Sequence, residues 1–175
     1  INGGLSWEAT QGLTNNAGWS EEPSVAVSGS NVYVAWQDDT FSTGVPEIFF
    51  KRSINSGVSW EATQRLTNNA GDSWHPSVAV SGYNVYVAWD DDTFGNTEIF
   101  FKRSTDNGVS WEATQRLTNN AGDSAHPSVA AISSNVYVAW HDLTFGNYEI
   151  FFKCSINFGV SWEATQRLTN NAGGS

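Results

Sequence analysis

Methionine is absent from the 175 residues, cysteine occurs once, proline four times, and basic side chains number 8 against 18 acidic ones. Each scarcity excludes something. With a formal net charge of −10, the chain lacks the clustered Lys and Arg that nucleic acid or an anionic membrane surface requires. A divalent cation or a neutral ligand fits better. No apolar run approaches the roughly 18 residues of a membrane-spanning helix, so no membrane insertion is expected and the chain reads as soluble. The lone Cys154 cannot form an internal disulfide. It stands where sister segments carry Arg52 and Arg103, which makes it a drifted structural arginine rather than a nucleophile, and it neither supports nor excludes export. Because the sequence opens on Ile1 inside a motif copy and holds no Met, it reads as a processed or excised segment.

What is present is repetition. Ser104-Thr105-Asp106-Asn107-Gly108-Val109-Ser110-Trp111 has near-copies at Ser53 to Trp60 and Ser155 to Trp162, with Asn55 and Asn157 in the Asp slot, and a shorter copy from Ile1 to Trp7. Trp60, Trp111 and Trp162 recur at an interval of 51 residues. Roughly three-quarters of positions match between the segments Val58 to Gly108 and Val109 to Gly159, the signature of a repeat array. Each unit holds four strand-like runs, typified by Pro76 to Val80, Asn84 to Trp89, Glu98 to Ser104 and Val109 to Leu117. Gly, Asn, Asp and Ser separate them. The second run places Val85, Val87 and Trp89 on one face, and no segment has a helical period.

Four short strands per unit of about 50 residues is the pattern of a β-propeller blade. With strands lettered A to D outward from the axis, residues 1–17 supply an extra outer strand, Leu5 to Leu13. Blades then occupy 18–68, 69–119 and 120–175. Closed propellers have about 4–8 blades, so three cannot close alone, and exposed blade faces are avoided in soluble proteins. The expectation is a homodimeric six-bladed ring or a higher closed ring, with the opening D strand as a clasp. The alternative is a piece of a longer array.

The repeated octapeptide resembles the Asp box, S-x-D-x-G-x-x-W, of the BNR repeats in sialidase-like propellers. In the box, Gly57, Gly108 and Gly159 supply the positive φ of a tight turn, while Ser53, Ser104, Ser155, Asn55, Asp106 and Asn157 accept backbone N–H groups. Trp60, Trp111 and Trp162 are expected to cap the apolar layer between sheets. Near-equal copies cannot all be one active site, and the resemblance likewise implies a fold element remote from the active face.

Blade topology puts the boxes and the A–B turns at one end of the disc and the D–A and B–C connections at the other. Chemistry-bearing residues collect at the second end. Trp19 and Trp74 have no Trp counterpart in other units and offer flat faces for sugar stacking. His75, His126 and His141 join them, as do Asp90 and Asp92. Asp38, Asp91 and Asp142 align with one another, which suggests turn capping. They are also weak candidates for Ca²⁺, although the spacing matches no defined calcium loop, and no other cofactor is expected.

Sialidase chemistry, as the resemblance implies it, needs three arginines clamping a carboxylate, a Tyr–Glu nucleophile pair and an Asp acid. Every Arg here is a repeat position instead: Arg52 and Arg103 end C strands, and Arg65, Arg116 and Arg167 lie in D strands, away from the axis. The F-R-I-P motif is absent, and near-identical blades offer little of the asymmetry that acid–base catalysis requires. The reading is a secreted or cell-surface, non-catalytic, lectin-like propeller using the D–A and B–C end, multivalent through repetition. A purely structural or adhesive array and an oligomer-assembled glycosidase are the alternatives.

Overall fold

The computed structural model describes residues 8–41 and 44–171. Among them there is no helix, and the strands form three four-stranded antiparallel sheets. Blade 1 holds β1 (Ser20–Ser28), β2 (Asn31–Asp38), β3 (Glu47–Ser53) and β4 (Gln64–Arg65). Blade 2 holds β5 (Ser73–Ser81), β6 (Asn84–Asp91), β7 (Glu98–Ser104) and β8 (Gln115–Arg116). Blade 3 holds β9 (Ser124–Ile132), β10 (Asn135–Asp142), β11 (Glu149–Ser155) and β12 (Gln166–Arg167). In every sheet the spatial order follows the chain. Because β1 packs on β5 and β5 on β9, first strands gather on the inside and fourth strands lie outside. The fold is therefore three successive β-propeller blades.

Three strands depart from the sequence expectation. The second runs two residues past Trp89 to Asp91, so Asp90 and Asp91 end a strand where the sequence implies a loop. The first strand of each blade begins three residues before its proline, at Ser20, Ser73 and Ser124. Pro cannot donate to a ladder, which marks Pro76 as a strand start in the sequence. A β-bulge absorbs it here: the register shifts between Trp74 and Ser77, and His75 takes φ 49°. The fourth strand shrinks from the expected Val109 to Leu117 to only Gln115–Arg116. Its early residues instead complete the box turn, and Trp111 packs edge-on against Phe50 of the preceding blade at 4.9 Å.

The expected apolar face of β6 is present, but its opposite face is sealed too. Val85, Val87 and Trp89 pack towards blade 1 with Val78 and Phe100, while Tyr86, Ala88, Ile99 and Phe101 pack towards blade 3. A central blade has neighbours on both sides, so alternation of polarity is lost. The outer faces of the stack show what a missing neighbour leaves. Val25 and Val27 of β1 are 65% and 64% exposed, whereas Val78 and Val129, the counterparts of Val25, are buried. Ile150 and Leu168 on the far side of blade 3 are exposed, although Ile48, Ile99, Leu66 and Leu117 are buried.

Residues 1–7, which carry Leu5 and Trp7 of the expected opening strand, lie outside the described residues. Residues 8–13 form no strand, because a fourth strand pairs with the third of its own blade and none precedes it in this sequence. The segment still crosses blade 1 as an outer strand would. Lys51 Nζ donates to the Leu13 carbonyl at 3.0 Å, matching Lys102 to Leu66 at 2.9 Å and Lys153 to Leu117 at 3.0 Å.

Candidate functional site

The boxes are corner clamps. Ser104 Oγ accepts the Gly108 amide at 2.8 Å, and Asp106 Oδ1 accepts those of Val109 and Ser110 at 3.0 and 2.9 Å. With Ser104 and Ser110 hydroxyls also donating to it, the Asp106 carboxyl falls to about 2. Asn55 and Asn157 hold equivalent turns through their side-chain amides. The Asn107 amide donates to the Tyr83 carbonyl at 2.8 Å, which seats the box beside the A–B turn of its own blade.

At the opposite end, four of the expected residues meet near the inner strands. The β5 and β9 bulges bring His75 and His126 into a stack with ring centroids 3.7 Å apart. His141, near the end of β10, lies 4.9 Å beyond His126, and Tyr148 lies 4.7 Å beyond His141. Buried Asp90 anchors the row: it receives the His126 amide at 3.0 Å and lies 3.0 Å from His75 Nδ1. That hydrogen bond raises the His75 pKa against the opposing effect of burial. Burial lowers that of His141, helped by the neighbouring histidine His126.

The remaining candidates separate from this row. Trp19 is 74% exposed and borders a shallow hollow with Ala17, Gly18, Asp39 and Thr40. Trp74 is not in a loop as the sequence suggests; it lies within β5, opposite Asp90 in register. Asp92 caps the loop pair by accepting the Asp72 amide at 2.8 Å.

Asp38, Asp91 and Asp142 sit one to a blade, with their acceptor capacity spent on turn donors. Asp91 receives Asn69 Nδ2 and Ser73 Oγ, both at 2.7 Å, and the Thr93 amide at 2.9 Å. Burial works to raise the carboxyl pKa of Asp142, yet donors from Thr144, Ser124 and Asn120 leave it lowered. Such saturated, separated carboxylates do not suit Ca²⁺, which needs 6–8 converging oxygens. Among the described residues no three His, Cys, Asp or Glu side chains are grouped to hold a metal ion.

A site that the sequence reading missed lies on the outer side of this end. Between the exit of β4 and the front face of blade 2 runs a groove of about 540 Å³, within the size range of small-ligand sites. Its floor is Trp89, and its wall is Phe94, 66% exposed and stacked on Phe100 at 6.1 Å. The Arg116 guanidinium lies 5.1 Å from the Phe94 ring centre. Lys102, whose amine burial pushes down in pKa, and Asn69 supply polar edges.

One junction earlier, Trp36, Phe41, Phe49, Lys51 and Asn16 line the same groove at about 370 Å³. Blade 3 repeats the stack with Phe145 on Phe151 at 6.2 Å and Arg167 at 4.4 Å. The signal was in the sequence, as the identical Thr-Phe at 40–41, 93–94 and 144–145. It lies among turn residues, where aromatic rings are easily passed over.

The arginines are all spoken for at the periphery. Arg65, Arg116 and Arg167 pair with the buried carboxylates of Glu47, Glu98 and Glu149 at 2.8, 3.0 and 3.1 Å. Arg52 and Arg103 pair with Glu61 and Glu112 and donate across to the next box, at the Asn107 and Phe158 carbonyls.

No protein-family model matches the sequence, and no curated protein matches it. Solved structures do resemble the fold. Trypanosoma rangeli sialidase in complex with sialic acid superposes with a TM-score of 0.59 at 16% identity, over 82% of this chain and 30% of that one. Zg3597, a family 117 glycoside hydrolase produced by the marine bacterium Zobellia galactanivorans, gives 0.63 at 11% identity over 95% and 61%. The GH93 α-L-arabinofuranosidase of Fusarium graminearum, in complex with arabinobiose, gives 0.56 at 14% identity over 82% and 46%. The chain thus spans between about a third and three-fifths of these structures, and at such identities they share its sialidase-like propeller fold and no more.

Proposed function

We propose that the chain is a non-catalytic, multivalent carbohydrate-binding propeller that holds one glycan unit in each inter-blade groove. One observation carries this reading: the groove recurs at successive junctions with the same tryptophan floor, phenylalanine pair, lysine and asparagine. An exposed ring offers its face to the C–H side of a sugar, and the flanking amide and ammonium groups donate to hydroxyls. Weak equivalent sites on one rigid frame gain through avidity, which rewards repetition. Sialic acid and arabinobiose in complexes of similarly folded proteins agree with a sugar as ligand. The pairing of each arginine at the rim speaks against a carboxylate clamp at the axis, and hence against a sialidase mechanism. Secreted or cell-surface glycans are the natural targets of such a module.

A glycan array with the intact chain and with Phe41→Ala, Phe94→Ala and Phe145→Ala combined is the direct test. Stacking lost from each site should weaken avid binding at least tenfold, since one aromatic contact is worth about 0.5–1.5 kcal/mol. The chain should turn over no fluorogenic glycoside. Absence of any glycan ligand, or undiminished binding by the triple variant, would sink the proposal, and loss confined to Trp74→Ala would relocate the site to the inner end.

A further inference from the structure

The two outer faces of the three-blade stack carry matching halves of a junction that the chain already makes twice. At the blade 1–2 junction, Phe50 lies over Gly108 and edge-on to Trp111, and Gln64 Oε1 accepts Trp111 Nε1 at 2.9 Å. At the blade 2–3 junction, Phe101 lies over Gly159 and edge-on to Trp162, with Gln115 accepting Trp162 Nε1 at 3.0 Å. Across each junction a serine hydroxyl accepts a strand amide: Ser24 that of Val78 and Ser77 that of Val129, both at 3.0 Å.

The receiving half of this set stands unused on blade 1. Trp60 Nε1 is buried without a partner, a Cβ added at Gly57 would meet only the Trp60 ring at 3.9 Å, and Val25 and Val27 are exposed. The donating half stands unused on blade 3. Among the described residues, Phe152 covers no glycine and the Gln166 side chain makes no hydrogen bond, and Ser128 is exposed.

We infer that the 175-residue chain associates head to tail with a second copy of itself, the far face of blade 3 docking on the near face of blade 1 at both joints of a closed six-bladed ring. The orphan indole N–H and the uncovered Gly57 decide the occupant together: a buried donor left unpaired costs about 1–3 kcal/mol, and although a glutamine of either copy can accept from it, only the far face of a further blade brings the phenylalanine that covers the glycine as at Gly108 and Gly159. Six is the only multiple of three within the usual 4–8 blades of a closed propeller, so two copies suffice. In the ring the partner's Phe152 covers Gly57. The slot beside the partner's β11 has two claimants, Gln11 to Leu13 and the partner's own Gln166 to Leu168, and each brings the glutamine that Trp60 needs. One bond is missing from this joint. Arg52 and Arg103 donate to Asn107 and Phe158 at the internal junctions, but Cys154 stands in their place. The ring joint is therefore weaker than the internal ones. This inference is independent of glycan binding.

Light scattering and sedimentation of the intact chain test it. A particle of twice the chain mass at micromolar concentration is expected. Val25→Asp, at a position solvated in the single chain, should leave a folded monomer by circular dichroism. Gly57→Ala should weaken association at least tenfold by lodging a methyl against the partner's Phe152. Cys154→Arg should tighten it about 25-fold, since one hydrogen bond near 1 kcal/mol, about fivefold, is restored at each of the two joints. A folded wild-type monomer at 100 micromolar or a particle whose mass grows without limit as concentration rises would overturn the ring. So would Val25→Asp and Gly57→Ala variants that dimerise as well as the wild type.

Discussion

Gly108 shows how much of this fold rests on single atoms. Its φ of 82° already disfavours any other residue, and a Cβ there would approach Phe50 Cζ to 2.7 Å. Gly57 has the same backbone at φ 85° with no comparable obstruction in the single chain. Gly108→Ala should therefore cost about 2–4 kcal/mol, combining backbone strain with overpacking. Gly57→Ala should cost the monomer only about 1–2 kcal/mol. Urea titration under monomeric conditions compares them, and equal losses would refute the assignment of the difference to Phe50.

The histidine row makes a separate prediction in pH. Asp90 accepts from His75 and holds its folded pKa above the unfolded value near 6.5. Its stabilisation is complete below pH 6.5 and disappears as pH rises through the higher folded value. His141 is shifted the other way, so its contribution is present above pH 6.5 and is lost as pH falls through its lowered folded pKa. His75→Gln should flatten the decline in melting temperature above pH 6.5 while leaving the decline on the acid side. A melting profile unchanged on the alkaline side would disprove the His75 assignment.

Among elements, the two-residue fourth strand has the least to hold it. β8 contributes few ladder bonds, so its attachment falls to Arg116, which reaches the buried Glu98 carboxylate at 3.0 Å while its Nε donates to the Thr118 carbonyl. Arg116→Ala leaves a buried charge with only the Asn120 amide and Asn96. Removing one partner of such a pair costs about 3–5 kcal/mol when fully buried; the quarter-exposed guanidinium brings the expectation to about 2–3 kcal/mol. Thermal unfolding reads it, and a loss below about 0.5 kcal/mol would show the pair to be a surface ornament.

The same elements show what sequence could and could not disclose. β7 is legible to the residue, Glu98 to Ser104, since its apolar run Ile99 to Phe101 holds no turn former and the box begins at Ser104. The first strands start earlier than the sequence implies because Pro76 lies in a bulge that only pairing with β6 reveals. Trp111 looked like a strand residue, yet its partners Phe50 and Gln64 lie in another blade. The inner histidine row follows from those bulges and was legible only as residues sharing one end. The groove is not legible as a groove, since it forms between the exit of one blade and the Phe94 turn of the next.

For the whole molecule, stability should grade from the centre outward. Repeat arrays derive stability from nearest-neighbour contacts, and only blade 2 has both. Hydrogen exchange of the chain held monomeric should give the slowest amides in β6 and β7 and faster ones in β1 and β11. Uniform protection across all three blades would contradict this gradient.

The internal junctions also bear on how such a chain changes over time. Phe50 meets Gly108 as Phe101 meets Gly159, so blade order is written in the covalent chain and not in the surfaces that mate. Any far face fits any near face. Duplicating or deleting a whole 51-residue unit keeps the phenylalanine–glycine and glutamine–tryptophan pairings of the junction, while the inner acceptor changes with the blade, Gln37 for the His75 amide and Asp90 for that of His126. The array can thus alter its length in one genetic step without designing an interface, and the number of grooves rises or falls with it.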